Sequence, residues 1–506
     1  MSRTPDDAPR SGPAEPSRTG APGTSPDEGP AAATPAQWAA LAVLLLGAFM
    51  GFLDIFIVNV ANPSIQAELH AGFAEIQLVP TGYTLAYGAG LVTGGRLGDL
   101  LGRRRLFLAG LIAFAAASVG CAAAQSPGFL IAARVVQGLA AAVMLPQVLA
   151  LIQVTFRRES QRARAIGLYG AVIGVGVVAG QIVGGLLIAW DVAGLGWRSV
   201  FLVNVPLCLI ALVAGVRLIE DDERGNGAAG PRPTLDLPGA ALLGLGLLAG
   251  IHALVTGAER GWPGVRTAQA VLAVALLGLF ALRERRVAAA GAAPLLPPRL
   301  FRQRGFALGL PTAASFHGMN GAFVFLLAFH LQKTEGLTAL ESALTFTPMA
   351  ILTSVASVLC GRLVARFGRH AVTASAAAMA LGLLLVLAGV VLRPDGPATA
   401  LLPGLLLYGA GGGIVATSLL GTALSGVHPD DVGAASGGIL TAIQASEALG
   451  VAGIGALFAT LSHSDAAYGF ARTVLVLAAL ALLTAALLDL LGRPGRRSAP
   501  AGEQHS

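Results

Sequence analysis

Carboxyl or guanidinium side chains stand deep inside long apolar segments of this sequence at three positions: Asp54, Arg134 and Glu447. On insertion scales, a charge at the middle of a bilayer costs at least ~2.5–3.5 kcal/mol. Such residues persist in membrane proteins when they pair with one another or when they bind a proton, an ion or a substrate. These residue types therefore predict charge pairing and reversible proton binding within a membrane.

Asp54 and Arg134 are expected at similar depths. Each lies about six residues, or ~10 Å along a helix, from the outer end of its apolar segment. An ion pair across the helix bundle is therefore possible. Two interpretations stay open at this point: a permanent structural pair, or a proton or substrate site whose partners change between conformations.

Glu447 lies near the middle of its segment, and the second half of the chain offers no Arg or Lys at that depth. Removal from water penalises the ionised form of a carboxyl group, so this side chain suits a reversible proton carrier. The alternative is a permanently protonated Glu that is hydrogen-bonded to a neighbour. His317, near the middle of another segment, either shares this depth or forms a structural hydrogen bond.

The surrounding composition is that of a chain in lipid. Hydrophobic residues make up 55% of the 506 residues and charged residues 12%, against roughly 25% charged in soluble domains. Apolar runs of about 20 residues, long enough to cross a bilayer, recur fourteen times. The predicted spans are 37–60, 77–95, 106–125, 128–154, 165–189, 199–217, 237–257, 267–283, 306–331, 341–361, 372–392, 399–423, 434–461 and 472–490.

The basic residues indicate the orientation. Of the 33 Lys and Arg residues, 26 lie on the side of the N-terminus, and Arg134 lies within a span. The remaining six are on the opposite side: Arg198, Arg260, Arg266, Lys333, Arg393 and Arg472. This bias predicts that both termini are cytoplasmic, which requires an even number of spans but does not separate twelve from fourteen. It also explains the basic composition without nucleic-acid binding.

The chain ends and the cysteines are not expected to contribute to a functional site. Residues 1–36 are rich in Pro, Gly, Ser and Thr and have no signal-peptide pattern, so they predict a disordered cytoplasmic tail, as do residues 492–506. Cys121, Cys208 and Cys360 have no metal-ligand spacing. Neither a metal site nor a disulfide is expected.

A short pattern occurs twice. Gly-Arg-Leu followed by Gly-Arg begins at Gly95 after the second span and again, 266 residues later, at Gly361 after the tenth. Parallel repeats of this kind are typical of transporters. The predicted domains are two six-helix halves, 37–218 and 306–491, separated by a spacer, 219–305, that contains two helices.

Two stretches of the first half resemble motifs of the major facilitator superfamily. Residues 53–63 are similar to the first-helix motif of its fourteen-span drug:proton antiporters, apart from Asn62, where a Leu is usual. Residues 95–105 resemble the superfamily's loop motif between helices two and three. Asp99 can pair with loop arginines and cap a helix end. We call Gly95, Asp99, Gly102, Arg103 and Arg104 the cytoplasmic latch.

Two further motifs extend the resemblance, which runs from about residue 37 to residue 491. Arg134, Gln137 and Gly138 resemble the fourth-helix motif, whose Arg is implicated in proton coupling. Residues 197–206 resemble the sixth-helix entry of the fourteen-span group, which favours fourteen spans over twelve. The resemblance implies an all-α polytopic membrane protein with the major facilitator fold, two six-helix halves and two inserted helices.

Three features depart from the antiporter pattern. Gln181 replaces the Pro of the fifth-helix motif, which would straighten the helix. Glu447 lies where glycines are common in the group. Ala365 stands where the second copy of the latch would need its acid, so only the first half is expected to have a latch.

These residues predict a secondary transporter that exports hydrophobic or amphipathic compounds by proton antiport. Asp54, Arg134 and Glu447 are the expected proton-coupling residues. The expected substrate cavity contains polar side chains from both halves: Asn59, Gln137, Gln181, His317, Asn320 and Gln444. The proton gradient would be the energy source, with no cofactor.

The alternatives belong to other functional classes. Transport of a specific metabolite or amino acid, in either direction, remains the main one. An ATP-driven pump would need a phosphate-binding loop, and the sequence has none. An enzyme would need clustered catalytic groups, whereas the intramembrane ones here are single. We expect a protein of the bacterial plasma membrane that functions as a monomer with small-molecule substrate, protons and lipid as its partners.

Overall fold

The computed structural model describes residues 33–220, 236–290, 294–392, 397–424, 427, 432–462 and 466–492. The predicted tails lie almost entirely outside these residues. Fourteen long helices lie within them, and each coincides with one predicted span: α1 (Pro35–Leu69), α2 (Phe73–Leu101), α3 (Arg103–Ala122), α4 (Pro127–Thr155), α5 (Glu159–Trp190), α6 (Gly196–Leu218), α7 (Leu237–Arg260), α8 (Gly264–Ala289), α9 (Arg304–Phe329), α10 (Ala339–Phe367), α11 (Arg369–Leu392), α12 (Leu402–Ala423), α13 (Val432–Leu461) and α14 (Ala466–Gly492).

Thirteen of these helices are long and apolar enough to cross a membrane. The other, α2, has 29 residues but is less apolar, because Gln77, Thr81 and Thr84 lie on its buried face. It packs between α4 and α13. The prediction of an all-α polytopic protein is confirmed.

Helix pairing repeats between the two parts of the chain. In the first part α1 packs on α5, α2 on α4, and α3 on α4 and α6. The same pairs recur eight helices later, as α9 with α13, α10 with α12, and α11 with α12 and α14. This offset supports the predicted duplication with two inserted helices. The inserted helices pack on each other, and α7 also contacts both α2 and α13.

The glycines of α5 allow close approach on two sides. A Cβ at Gly180 would lie 2.8 Å from the backbone oxygen of Leu53 on α1. A Cβ at Gly185 would lie 2.9 Å from the Cα of Leu340 on α10. Helix α5 is continuous through Gln181, as expected where no Pro interrupts the backbone hydrogen bonds. It therefore contacts both halves along small-residue faces.

The two halves meet at the predicted outer face. The amide of Gln332, just beyond α9, donates to the Val60 carbonyl of α1 at 3.1 Å. The ring of Phe73 at the start of α2 contacts three aromatic rings of the second half: Phe325, Phe329 and Phe458. The first turns of α5 and the last turns of α10 are largely exposed. The conformation is therefore closed at the predicted outer face.

Candidate functional site

A buried polar network occupies the centre of the first half. It joins Asp54 of α1, Arg134 and Gln137 of α4, Ser118 of α3 and Asn204 of α6. None of these side chains is more than 1% exposed. Five polar groups from four helices therefore lie together, away from both water and lipid.

The carboxylate of Asp54 accepts hydrogen bonds from three donors. Its Oδ2 lies 2.5 Å from Arg134 Nη1. Its Oδ1 accepts from Gln137 Nε2 at 2.9 Å and from Asn204 Nδ2 at 2.7 Å. Charge-assisted bonds of this kind are the stronger ones in proteins. The predicted ion pair is present, and two amides position its acid.

Arg134 keeps other partners besides Asp54. Its Nε donates to the Val79 carbonyl at 3.3 Å, and its Nη1 donates to Gln137 Oε1 at 2.7 Å. Its guanidinium carbon lies 4.3 Å from the centre of the Tyr83 ring and 5.7 Å from that of Phe201. Aromatic faces attract desolvated cations. The arginine would therefore retain stabilising contacts if Asp54 became neutral.

Helix geometry explains why these groups meet. Arg134 and Gln137 are three residues apart, so both project from one face of α4. Gly138 lets that helix approach α2, since a Cβ there would lie 2.3 Å from the Tyr83 backbone oxygen. Gln137 was expected in the substrate cavity. In the structure it bonds within the buried network and to Cys121, and its assignment to a substrate cavity stays a prediction.

Glu447 lies in a separate, small cavity between the halves. The cavity volume is about 30 Å³, room for about two water molecules. Its walls come from α1, α2, α9 and α13: Ile55, Phe56, Asn59, Pro80, Thr81, Thr84, Gly321, Val324, Glu447, Ala448 and Val451. In the part of the chain that the structure describes, Glu447 has no ion-pair partner.

Glycine at position 321 determines how closely α9 approaches the acid. A Cβ there would lie 2.6 Å from Glu447 Cγ and 3.1 Å from its backbone oxygen. The hydroxyls of Thr81 and Thr84 donate to backbone carbonyls of their own helix. Their oxygens can still accept a hydrogen bond. A protonated Glu447 would thus face acceptors across the interface between the halves.

Of the six side chains expected in a substrate cavity, Asn59 alone lines the cavity that holds Glu447. Gln181 is buried, with its Oε1 unpaired. Asn320 accepts from the Tyr408 hydroxyl at 3.1 Å. Gln444 packs against Gly88 of α2. Neither these three residues nor His317, whose ring contacts Phe316, line the cavity around Glu447, and their assignment to a substrate cavity stays a prediction.

The cytoplasmic latch is assembled in the first half. Arg103 donates to Asp99 Oδ1 from Nη2 at 2.8 Å and from Nε at 3.2 Å. Gly102, between these two residues, has φ +93°, a conformation that favours glycine. Gly95 faces the ring of a proline on α4. Arg104 donates to the Val216 carbonyl at the end of α6 at 2.7 Å. These bonds join the turn between α2 and α3 to a neighbouring helix end.

The sequence pattern of the Major Facilitator Superfamily matches residues 44–451. This chain belongs to the major facilitator superfamily. A probable actinorhodin transporter of Streptomyces coelicolor is 39% identical, covering 89% of this chain and 79% of that protein. The puromycin resistance protein of Streptomyces alboniger is 38% identical, covering 83% and 81%. The tetracenomycin C resistance and export protein of Streptomyces glaucescens is 32% identical, covering 84% and 76%.

Solved structures of the superfamily have the same fold. A bacterial homologue of the human lysosomal transporter Spinster, inward-facing and occupied, aligns with a TM-score of 0.65 at 16% identity, covering 91% of this chain and 97% of that one. The xylose transporter XylE of E. coli, partially occluded and inward open, aligns with a TM-score of 0.60 at 13% identity, covering 90% and 98%. The major facilitator fold predicted from the motifs is confirmed.

Sequence reasoning missed two members of the polar network, Ser118 and Asn204, and the Tyr83 ring that lies against Arg134. Asn204 belongs to the sixth-helix motif, and its position near the outer end of α6 matches the depth of Asp54. That shared depth could have identified it. Ser118 and Tyr83 gave no such signal, because a single Ser or Tyr in an apolar helix is common.

We predict that Asn204→Leu weakens the network, because it removes a donor to a buried carboxylate. Hydrogen bonds to charged groups contribute about 1.5–3 kcal/mol, so the detergent-purified protein should unfold at a lower temperature and the pH dependence of its transport should shift. Asn320→Leu is the matched control: it removes an amide whose partner, Tyr408, is neutral. Equal effects of the two substitutions on the pH profile would show that Asn204 only supports packing.

Proposed function

We propose that this protein exports hydrophobic or amphipathic small molecules in exchange for protons. Asp54, Arg134 and Glu447 are the proposed proton-coupling residues. The observation that carries the proposal is the contrast between the two intramembrane acids. Asp54 is held by three donors, whereas Glu447 faces a cavity between the halves with no ion-pair partner among the described residues.

Glu447 is suited to couple proton binding to movement of the halves. It belongs to α13, while much of its cavity wall comes from α1 and α2. Closing the first-half wall over an ionised carboxylate would desolvate a charge, which is costly. A proton removes that cost. Protonation therefore favours the closed arrangement around Glu447, and deprotonation favours its opening to substrate.

Competition between proton and substrate would couple the two fluxes. A substrate that enters the interface displaces the closed arrangement, and a bound proton restores it, so the two ligands favour different conformations. Rocking of the halves about the midplane would then expose the site to each face in turn. Asp54 would take part through Arg134, whose aromatic contacts stabilise the cation while the acid is neutral.

The substrate class follows from the walls and from the relatives. The side chains around Glu447 are mostly apolar, including Phe56, Val324 and Val451. The named relatives transport or confer resistance to actinorhodin, puromycin and tetracenomycin C. We infer that this chain exports hydrophobic or amphipathic compounds of this kind.

We further propose that all fourteen helices cross the bacterial plasma membrane and that both termini are cytoplasmic. Ala33 donates to Gln161 beside the α4–α5 turn, and Gly492 lies against Arg369 at the start of α11. Both contacts join a chain end to an arginine-rich turn. The positive-inside rule places such turns in the cytoplasm. We propose a functional monomer that uses the proton gradient and no cofactor.

The test is expression in a susceptible bacterium, followed by growth on actinorhodin, puromycin and tetracenomycin C with and without a protonophore. We expect resistance to at least one compound, together with lower intracellular accumulation that rises when the proton gradient is collapsed. Unchanged sensitivity and accumulation for all three would refute the proposed substrate class. Export that persists without a proton gradient would refute proton antiport.

A further inference from the structure

Two acidic side chains meet at the arginine-rich end of the inserted helices. Asp236 caps the N-terminus of α7 and Glu284 lies near the end of α8. Their exposed fractions are 7% and 4%. Acidic residues are almost never so fully buried unless they are paired, so each carboxyl oxygen needs a partner.

Donors are present for one oxygen of each carboxyl group. Asp236 Oδ1 accepts from Arg283 Nε at 2.7 Å and from the Gly239 amide at 2.9 Å. Glu284 Oε2 accepts from the Leu296 amide at 2.6 Å. Asp236 Oδ2 and Glu284 Oε1 are buried without a donor. A buried polar atom without a partner is destabilising, so two together are unfavourable.

The two carboxyl groups lie within hydrogen-bonding reach of each other, so a single shared proton would give both of them a further partner. Burial alone would raise the pKa of Asp236, but the Arg283 and Gly239 hydrogen bonds, the Arg283 charge and the Glu284 contact hold that pKa below its ordinary value. Asp236 is therefore the better acceptor, and a shared proton would reside on Glu284. The arrangement would be a carboxylic acid that donates to a carboxylate.

We propose that Asp236 and Glu284 form a binding site for one proton that fastens the segment before α9 to the inserted helices. The ligand is a proton rather than a metal ion, because the Arg283 guanidinium already occupies one face of the pair. Two facing oxygens also supply too few ligands for a cation such as Ca²⁺.

The fastened segment connects the two halves. The backbone amide of Leu296 donates a hydrogen bond to Glu284. The side chain of Leu296 packs against α13, where a Cβ added to Gly438 would lie 3.2 Å from it. Arg96 of α2 donates to the neighbouring Pro294 carbonyl at 3.4 Å. The charged groups that face the acids are thus Arg283 of α8 and Arg96 of α2.

Loss of the proton would leave two carboxylates face to face, which repel one another. The contact of Glu284 with the Leu296 amide would then be strained, and the segment between α8 and α9 would loosen. On the proposed topology this site faces the cytoplasm. A rise in cytoplasmic pH would therefore release a contact between the halves, independently of Glu447 and of the transported compound.

Hydrogen exchange of the detergent-purified full-length protein tests the site. We measure protection of residues 294–303 between pH 4.5 and pH 8, a range that starts at the ordinary pKa of a Glu and includes higher values, corrected for intrinsic exchange. If the segment releases one proton each time it opens, its protection should fall by up to about tenfold for each unit by which the pH rises. Glu284→Gln, which donates a hydrogen bond at every pH, should abolish this slope. Glu341→Gln, a change at an exposed helix cap on α10, should retain it.

Asp236→Asn provides a second variant in case Glu284→Gln does not fold, since its amide also donates without titrating. It too should remove the pH slope. A wild-type slope near zero, or an unchanged slope in either folded variant, would overturn the proposal. Protection that follows sodium concentration rather than pH would instead show that a cation occupies the pair.

Discussion

Replacing Glu447 by Gln should abolish the pH dependence of export. The amide keeps the size and the hydrogen-bonding capacity of a protonated carboxyl, but it cannot release a proton, so the closed arrangement between the halves would be favoured at every pH. Coupling free energies between two ligands usually correspond to changes of about 5- to 150-fold, and we expect a loss of transport within that range. Substrate uptake into inverted membrane vesicles with an imposed pH gradient measures it.

The matched control is Glu341→Gln, which neutralises an exposed acid at the start of α10. Its transport and pH profile should match those of the wild type. The wild type, Glu447→Gln and Glu341→Gln must be present in equal amounts and have equal thermal stability. Undiminished and equally pH-sensitive transport by Glu447→Gln would remove this residue from the mechanism.

Removing Arg134 should affect both stability and transport. Arg134→Leu leaves Asp54 buried without its counter-ion, and removing one partner of a buried pair typically costs about 3–5 kcal/mol. Asp54→Asn should cost less, since Tyr83 and Phe201 still contact the guanidinium. Thermal unfolding in detergent and vesicle transport, measured on the same preparations, give the two effects.

Exchange of the two residues separates structural pairing from proton coupling. The double variant Asp54→Arg with Arg134→Asp restores an ion pair, so we expect part of the stability to return. Transport should stay low, because the new arginine lies on α1, away from the Tyr83 face and the Val79 carbonyl. Recovery of pH-dependent transport along with stability would show that the pair is structural only.

Depth along each helix was predictable from the sequence. Counting residues from the outer ends of the spans placed Asp54 beside Arg134, and their side chains are in contact. The fourteen helices and the latch pair Asp99–Arg103 were also predictable. Each depends on local order along the chain: apolar length in the first case, and the closeness of the two residues in the sequence in the second.

Rotation of each helix about its axis was not predictable. Successive residues differ by about 100° in direction, and helices that are apolar on every side give no pattern that fixes the inward face. The directions in which Gln181, His317 and Gln444 face could therefore not be predicted, and none of the three lines the cavity around Glu447. The enclosure of Gln137 was likewise not predictable, because it depends on the packing of α3 and α6.

The cavity around Glu447 could not be predicted from the sequence, for a related reason. Its walls combine α1, α2, α9 and α13, and their contact depends on glycines such as Gly321. The acid pair of Asp236 and Glu284 is a similar case. These residues are 48 positions apart, and neither lies in a pattern that indicates burial.

Proton movement during transport tests the central claim most directly. Proteoliposomes containing a pH-sensitive dye and the wild-type protein would receive whichever of the three antibiotics the protein exports in cells. We predict that the compound discharges an imposed pH gradient at a rate that follows its transport, and that Glu447→Gln abolishes this discharge. Transport by the wild type with no accompanying proton movement would contradict the account.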